Sequence, residues 1–262
     1  MSILVALPRH LHSSDSGFWI PWIPEFLDSW SRDSETLPQP MSNESRFFGA
    51  SVGQKVLVAL TGLFLCTFLA VHLSGNMLLF KDDEGKAFEE YSEIMSTNPG
   101  IRAMEIVLAA GFLVHILFAA RVWMRNRSAR PQRYVLNKPS ENSSLASRVM
   151  AATGGVVFIF LVVHLRTFFV PSRFPGEVKP SMYGLVKTAF CSPVYVGFYL
   201  ISLFLLGYHL RHGFQSAFQT LGLKAGLRLL IDYVAVIFWL IIPLGFAAMP
   251  LYFLWARYTG VR

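Results

Sequence analysis

Five long apolar runs alternate with polar segments along the chain. A helix that crosses a bilayer needs about 20 mostly apolar residues, and each of these runs is close to or above that length. The runs cover residues 55–80, 103–124, 148–171, 191–213 and 229–256. Because only short segments connect them, we predict an all-α membrane protein whose five transmembrane helices form one bundle.

Residues 1–45 follow a different pattern, with proline, serine and tryptophan scattered through them and little periodicity. We therefore divide the chain into an N-terminal extension, 1–45, and a five-helix domain, 46–262. The apolar run at 3–7 is too short for the core of a signal peptide. A polar lead-in follows Met41, so we expect either that translation starts at Met41 or that 1–40 is a poorly ordered tail.

Composition and charge agree with a membrane protein and suggest its orientation. The chain is 53% apolar and 15% charged, which is typical of integral membrane proteins. Segment 121–148 carries seven basic residues against Glu141, whereas 81–102 carries six acidic residues against three basic ones. The positive-inside rule then places 121–148 and 211–228 in the cytoplasm, and 81–102 and 172–190 outside. The N-terminus is predicted to be cytoplasmic and the C-terminus external.

The basic segments lie directly beside membrane spans. In that position they favour a role in topology, contact with anionic lipid and a docked protein partner. We do not expect a nucleic-acid partner.

Each of the first four apolar runs contains a histidine within it, and an ionisable side chain in lipid usually marks a functional site. These residues are His72, His115, His164 and His209. Glycines accompany them at helical spacing: Thr61-Gly62 precedes His72 as Thr153-Gly154 precedes His164, Gly111 lies four residues before His115, and Gly213 four after His209. Such glycines allow a flat macrocycle or a neighbouring helix to approach closely.

Depth in the membrane sorts the four histidines into two pairs. With the predicted topology, His72 and His164 lie roughly 6–8 Å outside the bilayer centre, at ~1.5 Å per residue. His115 and His209 lie roughly 3–9 Å toward the cytoplasm on the same scale. Bis-histidine ligation needs one imidazole on each side of a porphyrin at one depth. We predict two b-type haems, one held by His72 and His164 and the other by His115 and His209.

Other readings of the histidines stay open. Covalent c-type haem is excluded because the chain has no C-x-x-C-H, and its two cysteines, Cys66 and Cys191, indicate no disulfide framework. The histidines could be hydrogen-bonded core residues. A zinc or di-iron site has little support, since only His209 and His212 have local metal spacing and no carboxylate cluster accompanies them. His212 is expected to contact a propionate, a carbonyl or a neighbouring subunit, or to replace His209 as ligand.

Several charged residues near span ends have two readings. Glu105 either pairs with Arg102, three residues earlier on the same helix, or exchanges protons beside an externally placed quinone. Asp232 is expected to be a helix-end charge. Three arginines lie where haem propionates could reach, although the last two fit equally well as snorkelling residues: Arg121, Arg166 and Arg211.

Motifs around these histidines resemble those of a known family. They are VHLSGN at 71–76, NRSARP at 126–131, VHL at 163–165 and HLRHGFQSAFQTLG at 209–222. Over about 46–258 the chain resembles the cytochrome b subunit of succinate dehydrogenase/fumarate reductase in its five-helix, di-haem form. The last motif is the most specific, because glycines four and thirteen residues after its first histidine match the family pattern and favour His209 over His212.

The resemblance implies an electron-transfer subunit of a multi-chain enzyme in the bacterial cytoplasmic membrane. A flavoprotein subunit would carry the succinate/fumarate site, and an iron–sulfur subunit would dock on the cytoplasmic face. Electrons would pass to an inner haem on His115 and His209, then to an outer haem on His72 and His164, and to a quinone, often menaquinone. The chain departs from some members, since no carboxylate lies in the inner half of the fourth span.

Two other functions remain as alternatives. The chain could be the cytochrome b anchor of a hydrogenase or formate dehydrogenase, against which the motif at 209–222 argues. It could also be a haem-free transporter or scaffold, in which the histidines bind protons or simply pack.

Overall fold

The computed structural model describes residues 51–128, 145–223 and 225–260, and within them every regular element is a helix. The described residues belong to one compact unit, Glu44–Arg262. The predicted extension 1–45, its boundary and the start at Met41 lie outside the described residues. The α-helices are α1 (Ser51–Asn76), α2 (Lys86–Thr97), α3 (Pro99–Ser128), α4 (Leu145–His164), α5 (Val170–Arg173), α6 (Met182–Phe190), α7 (Pro193–Thr220), α8 (Arg228–Val236) and α9 (Ile242–Thr259).

Among these residues, five helical segments are long and apolar enough to cross a membrane, which confirms the predicted all-α, multi-pass architecture. They are Val52–Phe80, Pro99–Ser128, Val149–Arg173, Pro193–Thr220 and Leu229–Thr259. Each extends beyond its predicted apolar run at one end or both. The largest extension at a single end is in the fourth span, which continues past the predicted end at residue 213 to Thr220 because its helix carries on into polar sequence.

Two spans contain a π-helical segment. Leu165–Phe169 directly follows His164 in the third span, and Ile237–Ile241 joins α8 to α9 in the fifth. Single π turns inside α-helices are rare and are frequent at functional sites. The first one widens the backbone immediately beyond a histidine that the sequence singles out.

The fourth span is the centre of the bundle. It packs against the first, third and fifth spans and supplies buried side chains along its length, among them Val196, Tyr199, Leu206 and Phe214. The second span packs against the first and against α2. Its large apolar side chains, such as Ile106 and Leu117, are exposed at the bundle surface, as is usual for a lipid-facing helix.

The two short helices α2 and α6 meet at one end of the bundle. Glu89 of α2 accepts hydrogen bonds from the Ser181 hydroxyl (3.0 Å) and from the backbone N–H groups of Met182 and Tyr183 (both 3.1 Å). A carboxylate at a helix N-terminus pairs with N–H groups that have no partner inside the helix. The connection between the first two spans is thereby joined to that between the third and fourth.

Tyr183 packs against this junction. Desolvation by burial raises its pKa above the ordinary value for tyrosine, and the nearby Tyr252, Asp83 and Glu84 add to the effect. Its ring also covers Gly85, which has φ +84° and leaves no room for a Cβ, since that atom would lie 2.2 Å from the ring. Gly85 is therefore required by both its backbone conformation and its neighbour.

Candidate functional site

The structure brings His72 of the first span and His164 of the third together. Their ring centroids are 5.8 Å apart and their planes are inclined at 87°. Phenylalanine rings surround them: Phe68 stacks on His72 at 5.2 Å, and Phe160 and Phe168 lie 5.8 and 5.3 Å from His164. This is an apolar enclosure around two imidazoles, and we call it the outer pair.

The spacing of the outer pair fits a shared metal ion. A metal–imidazole bond is about 2 Å long, so two imidazoles on opposite sides of one ion have centroids roughly 6 Å apart. Any angle between the two ring planes is compatible with this, because both planes contain the common axis. The observed 5.8 Å therefore suits bis-histidine ligation of a haem iron.

His115 of the second span and His209 of the fourth form the inner pair. The two side chains are near enough to interact electrostatically, and His212 lies within the same range of His209. The inner pair is displaced along the bundle from the outer one. Thr61, which contacts His115, precedes His72 by eleven residues on the same helix, or roughly 16 Å at 1.5 Å per residue.

Each Thr-Gly pair holds the histidine of the next span rather than that of its own. Thr61 Oγ1 lies 3.2 Å from His115 Nδ1, and Thr153 Oγ1 lies 3.4 Å from His209 Nδ1. A Cβ at Gly62 would be 3.2 Å from Cε1 of His115, and one at Gly154 would be 3.3 Å from Cε1 of His209. Of the two roles expected for these glycines, the structure supports the close approach of a neighbouring helix.

Hydrogen-bond partners indicate the tautomer of His115. The Val58 carbonyl lies 3.2 Å from His115 Nδ1 and can only accept, and the Thr61 hydroxyl already donates its one proton to the Leu57 carbonyl (2.7 Å). Nδ1 of His115 therefore carries the hydrogen, and its Nε2 lone pair is left for a metal ion. The Thr153 hydroxyl likewise donates to the Met150 carbonyl (3.0 Å), but its 3.4 Å contact with His209 is too long to fix the tautomer of that ring.

His164 contacts a tyrosine hydroxyl. Its Nδ1 lies 2.6 Å from the Tyr199 hydroxyl, and the ring of Tyr195 lies beside that of Tyr199 with centroids 5.2 Å apart. Tyr195 donates to Thr167 Oγ1 (3.1 Å), and Thr167 donates to the Val163 carbonyl (2.9 Å). The tautomer of His164 decides which partner of the 2.6 Å contact is the donor: with Nδ1 protonated, Tyr199 accepts and Nε2 carries the lone pair.

His72 has a weaker contact at this position. Its Nδ1 lies 3.5 Å from the Asn76 amide nitrogen, which also donates to the His72 carbonyl at 2.7 Å. A contact of 3.5 Å is at the limit of hydrogen bonding and does not fix the tautomer of this ring.

Glu105 pairs with an arginine that the sequence did not indicate. Its carboxylate forms an ion pair with Arg173 at the end of the third span, and Arg173 also donates to the Ser96 carbonyl at 3.0 Å. Arg102, the expected local partner, has an exposed side chain. The ion pair therefore links the second span to the third and to α2, instead of staying within one helix.

The remaining predicted residues lie apart from the histidine pairs or at their margin. The Arg211 guanidinium lies 5.3 Å from the centroid of the Trp239 ring, a cation–π arrangement suited to a snorkelling side chain. Arg121 and Arg166 are exposed. Asp232 accepts a hydrogen bond from Gln215 at 3.3 Å, so this charge joins the fourth and fifth spans.

Metal-ligating side chains occur as pairs in the residues that the structure describes, where no group of three or more histidine, cysteine, aspartate or glutamate side chains comes together. Sequence reasoning missed Tyr199, Tyr195 and Arg173, whose partners lie on other helices. A hydroxyl-bearing aromatic within an apolar span was the available signal, since a buried tyrosine hydroxyl needs a hydrogen-bond partner.

No protein-family model, curated protein or solved structure matches the chain in comparisons with each. What the protein does is therefore inferred from the two histidine pairs and from the motifs around them.

Proposed function

We propose that the chain is the membrane-anchor cytochrome b subunit of a succinate:quinone oxidoreductase, a succinate dehydrogenase or fumarate reductase. It carries electrons between an iron–sulfur subunit and quinone through two haems b. The observation that supports this most is the approach of two intramembrane histidines, His72 and His164, whose ring centroids are 5.8 Å apart in an apolar enclosure. Nδ1 of His115 faces the Val58 carbonyl and Nδ1 of His164 faces the Tyr199 hydroxyl, an arrangement that suits ligation of iron through Nε2.

The two histidine pairs provide the ligands for two separate haem sites. His72 and His164 would hold one haem, and His115 and His209 would hold the other. Haem iron, when bound, supplies one-electron redox chemistry. Two histidine ligands on each iron would suit electron transfer rather than oxygen binding. The threonine and tyrosine hydroxyls hold the imidazole planes and raise the basicity of the ligands.

The partners and the location are proposed from the family resemblance and from the charge distribution. Flavoprotein and iron–sulfur subunits dock at the basic, cytoplasmic end, beside the inner pair, in the bacterial cytoplasmic membrane. Quinone, with menaquinone the expected species, exchanges electrons near the outer pair. Glu105 remains the proposed proton-exchanging group there, with Arg173 as its partner and Arg102 exposed nearby. Membrane lipid covers the rest of the bundle surface.

The proposal is tested by haem content in the chain purified with its partner subunits. Two haems b per chain, reduced in two steps by succinate or a quinol, are expected. A matched variant pair sharpens the result: His164→Ala should lose one haem, and His212→Ala should keep both. A colourless chain from haem-replete cells would contradict the proposal and favour the transporter or scaffold reading.

A further inference from the structure

The four histidines differ in how strongly Nδ1 is held. The inner imidazoles make contacts of 3.2 and 3.4 Å with threonine hydroxyls, and His115 makes a further contact of 3.2 Å with the Val58 carbonyl. The outer imidazole of His164 makes a contact of 2.6 Å with a phenol. Shorter hydrogen bonds are stronger, so one histidine of the outer pair has a much better hydrogen-bond acceptor than either inner histidine.

The acceptor lies next to further hydroxyls. The ring of Tyr195 lies 5.2 Å from that of Tyr199, Tyr195 donates to Thr167 Oγ1, and Thr167 donates to the Val163 carbonyl. When Nε2 of His164 binds iron, its Nδ1–H donates to Tyr199, and the Tyr199 proton is then directed away from His164, toward Tyr195. Successive hydrogen bonds in one direction strengthen one another, so the Tyr199 oxygen is a better acceptor for the His164 N–H than an isolated phenol would be.

Apolar rings keep water away from the contact between Tyr199 and His164. Tyr199 is 6% exposed, and the rings of Phe160 and Phe190 lie with centroids 4.8 and 5.0 Å from its own. A hydrogen bond in a medium of low dielectric constant is electrostatically stronger than one in water. Thr167, which accepts from Tyr195, donates to the carbonyl of Val163, the residue next to His164.

We propose that Tyr199 is a positioning residue that makes His164 the most strongly electron-donating of the histidine ligands. This inference rests on the proposed function. An imidazole whose N–H is drawn toward an acceptor is a more basic ligand, and a more basic ligand stabilises ferric over ferrous iron. Tyr199 therefore lowers the midpoint potential of the outer haem and leaves that of the inner haem unaffected.

The test is a redox titration of the holo-complex, followed by visible spectroscopy, for three variants beside the unaltered protein. The step that disappears in His164→Ala identifies the outer haem. Tyr199→Phe removes only the hydroxyl and is expected to move that step to higher potential, with the inner step unmoved. Tyr195→Phe, which keeps the Tyr199 contact with His164, is expected to give a smaller shift of the same step in the same direction.

Thr61→Val is the matched control at the inner pair and should move the inner step alone. The inference fails if Tyr199→Phe leaves both steps in place or moves both equally. If that variant loses the outer haem altogether, Tyr195→Phe decides: an unshifted outer step there overturns the inference. If the unaltered complex contains no haem, that separate outcome contradicts the proposed function itself.

Discussion

At the scale of single residues, metal binding depends on which nitrogen of each imidazole is available as a ligand. The Thr-Gly pairs of the first and third spans do two things for the next span's histidine. The threonine oxygen lies 3.2–3.4 Å from Nδ1, and the glycine leaves room for the ring. Both halves of the bundle repeat this arrangement at the inner level, whereas at the outer level the Tyr199 hydroxyl contacts His164.

Gly154 and its neighbour Gly155 offer a matched test of this device. A Cβ at Gly154 would lie 3.3 Å from His209 Cε1, whereas one at Gly155 has nothing within 4 Å. We expect Gly154→Ala to displace the imidazole and weaken haem retention at the inner site roughly tenfold, the lower end of the range for altered support of a metal ligand. Gly155→Ala should retain both haems.

Haem dissociation, followed by transfer to an apoprotein acceptor, measures this difference. If the two variants retain the inner haem equally, the glycine does not support His209 and the repeated Thr-Gly pattern has another cause.

At the scale of elements, the end of the bundle that carries α2 and α6 is held by ion pairs and caps that cross between helices. Arg173 joins Glu105 of the second span and the last turn of α2. Lys179 pairs with Glu93 of α2 and also contacts Ser96 (3.1 Å). These contacts lie beyond the outer pair and join the ends of the second and third spans to α2.

The Glu105–Arg173 ion pair should therefore contribute to stability. Because Arg173 is mostly buried, with a side chain 12% exposed, Glu105→Ala and Arg173→Ala are each expected to lower the thermal unfolding temperature in detergent. The double variant should lose less than the sum, with a coupling of about 0.5–3 kcal/mol. Arg102→Ala, at an exposed side chain, is the control and should have little effect. Additive losses would show that the two side chains act independently.

The sequence predicts the membrane spans better than it predicts the contacts between them. The five spans follow directly from apolar runs near 20 residues, and the pairing of His72 with His164 follows from depth. The side chains that contact each histidine cannot be predicted in this way, because they depend on packing between helices. Thr61-Gly62 lies at helical spacing from His72 yet contacts His115, and Tyr199 reaches His164 across 35 residues. Spacing within one helix cannot show which neighbouring helix packs against it.

At the scale of the whole molecule, the bundle has two levels of histidines and two chemically different ends. The end that carries α2 and α6 is rich in acidic residues and ion pairs. The opposite ends of the second and fourth spans carry arginines, including Arg127 stacked 5.6 Å from Trp123 and Arg211 stacked on Trp239. This asymmetry predicts that the first end is external and the second cytoplasmic.

Site-directed labelling tests the orientation. In a background with Cys66 and Cys191 replaced by serine, Glu90→Cys on α2 should react with a membrane-impermeant maleimide in intact cells. Arg127→Cys should react only after permeabilisation. Both native residues are exposed, so accessibility is decided by the side of the membrane. The reverse pattern would invert the bundle and with it the assignment of inner and outer haems.

The central claim is that four histidines from four spans bind two haems in the pairs His72–His164 and His115–His209. The most direct measurement is the haem content and redox titration of four single alanine variants in the purified complex. His72→Ala and His164→Ala should each lose the same redox step, and His115→Ala and His209→Ala should each lose the other. Loss of different steps within a pair, or retention of both haems in any one variant, would contradict the pairing and the account built on it.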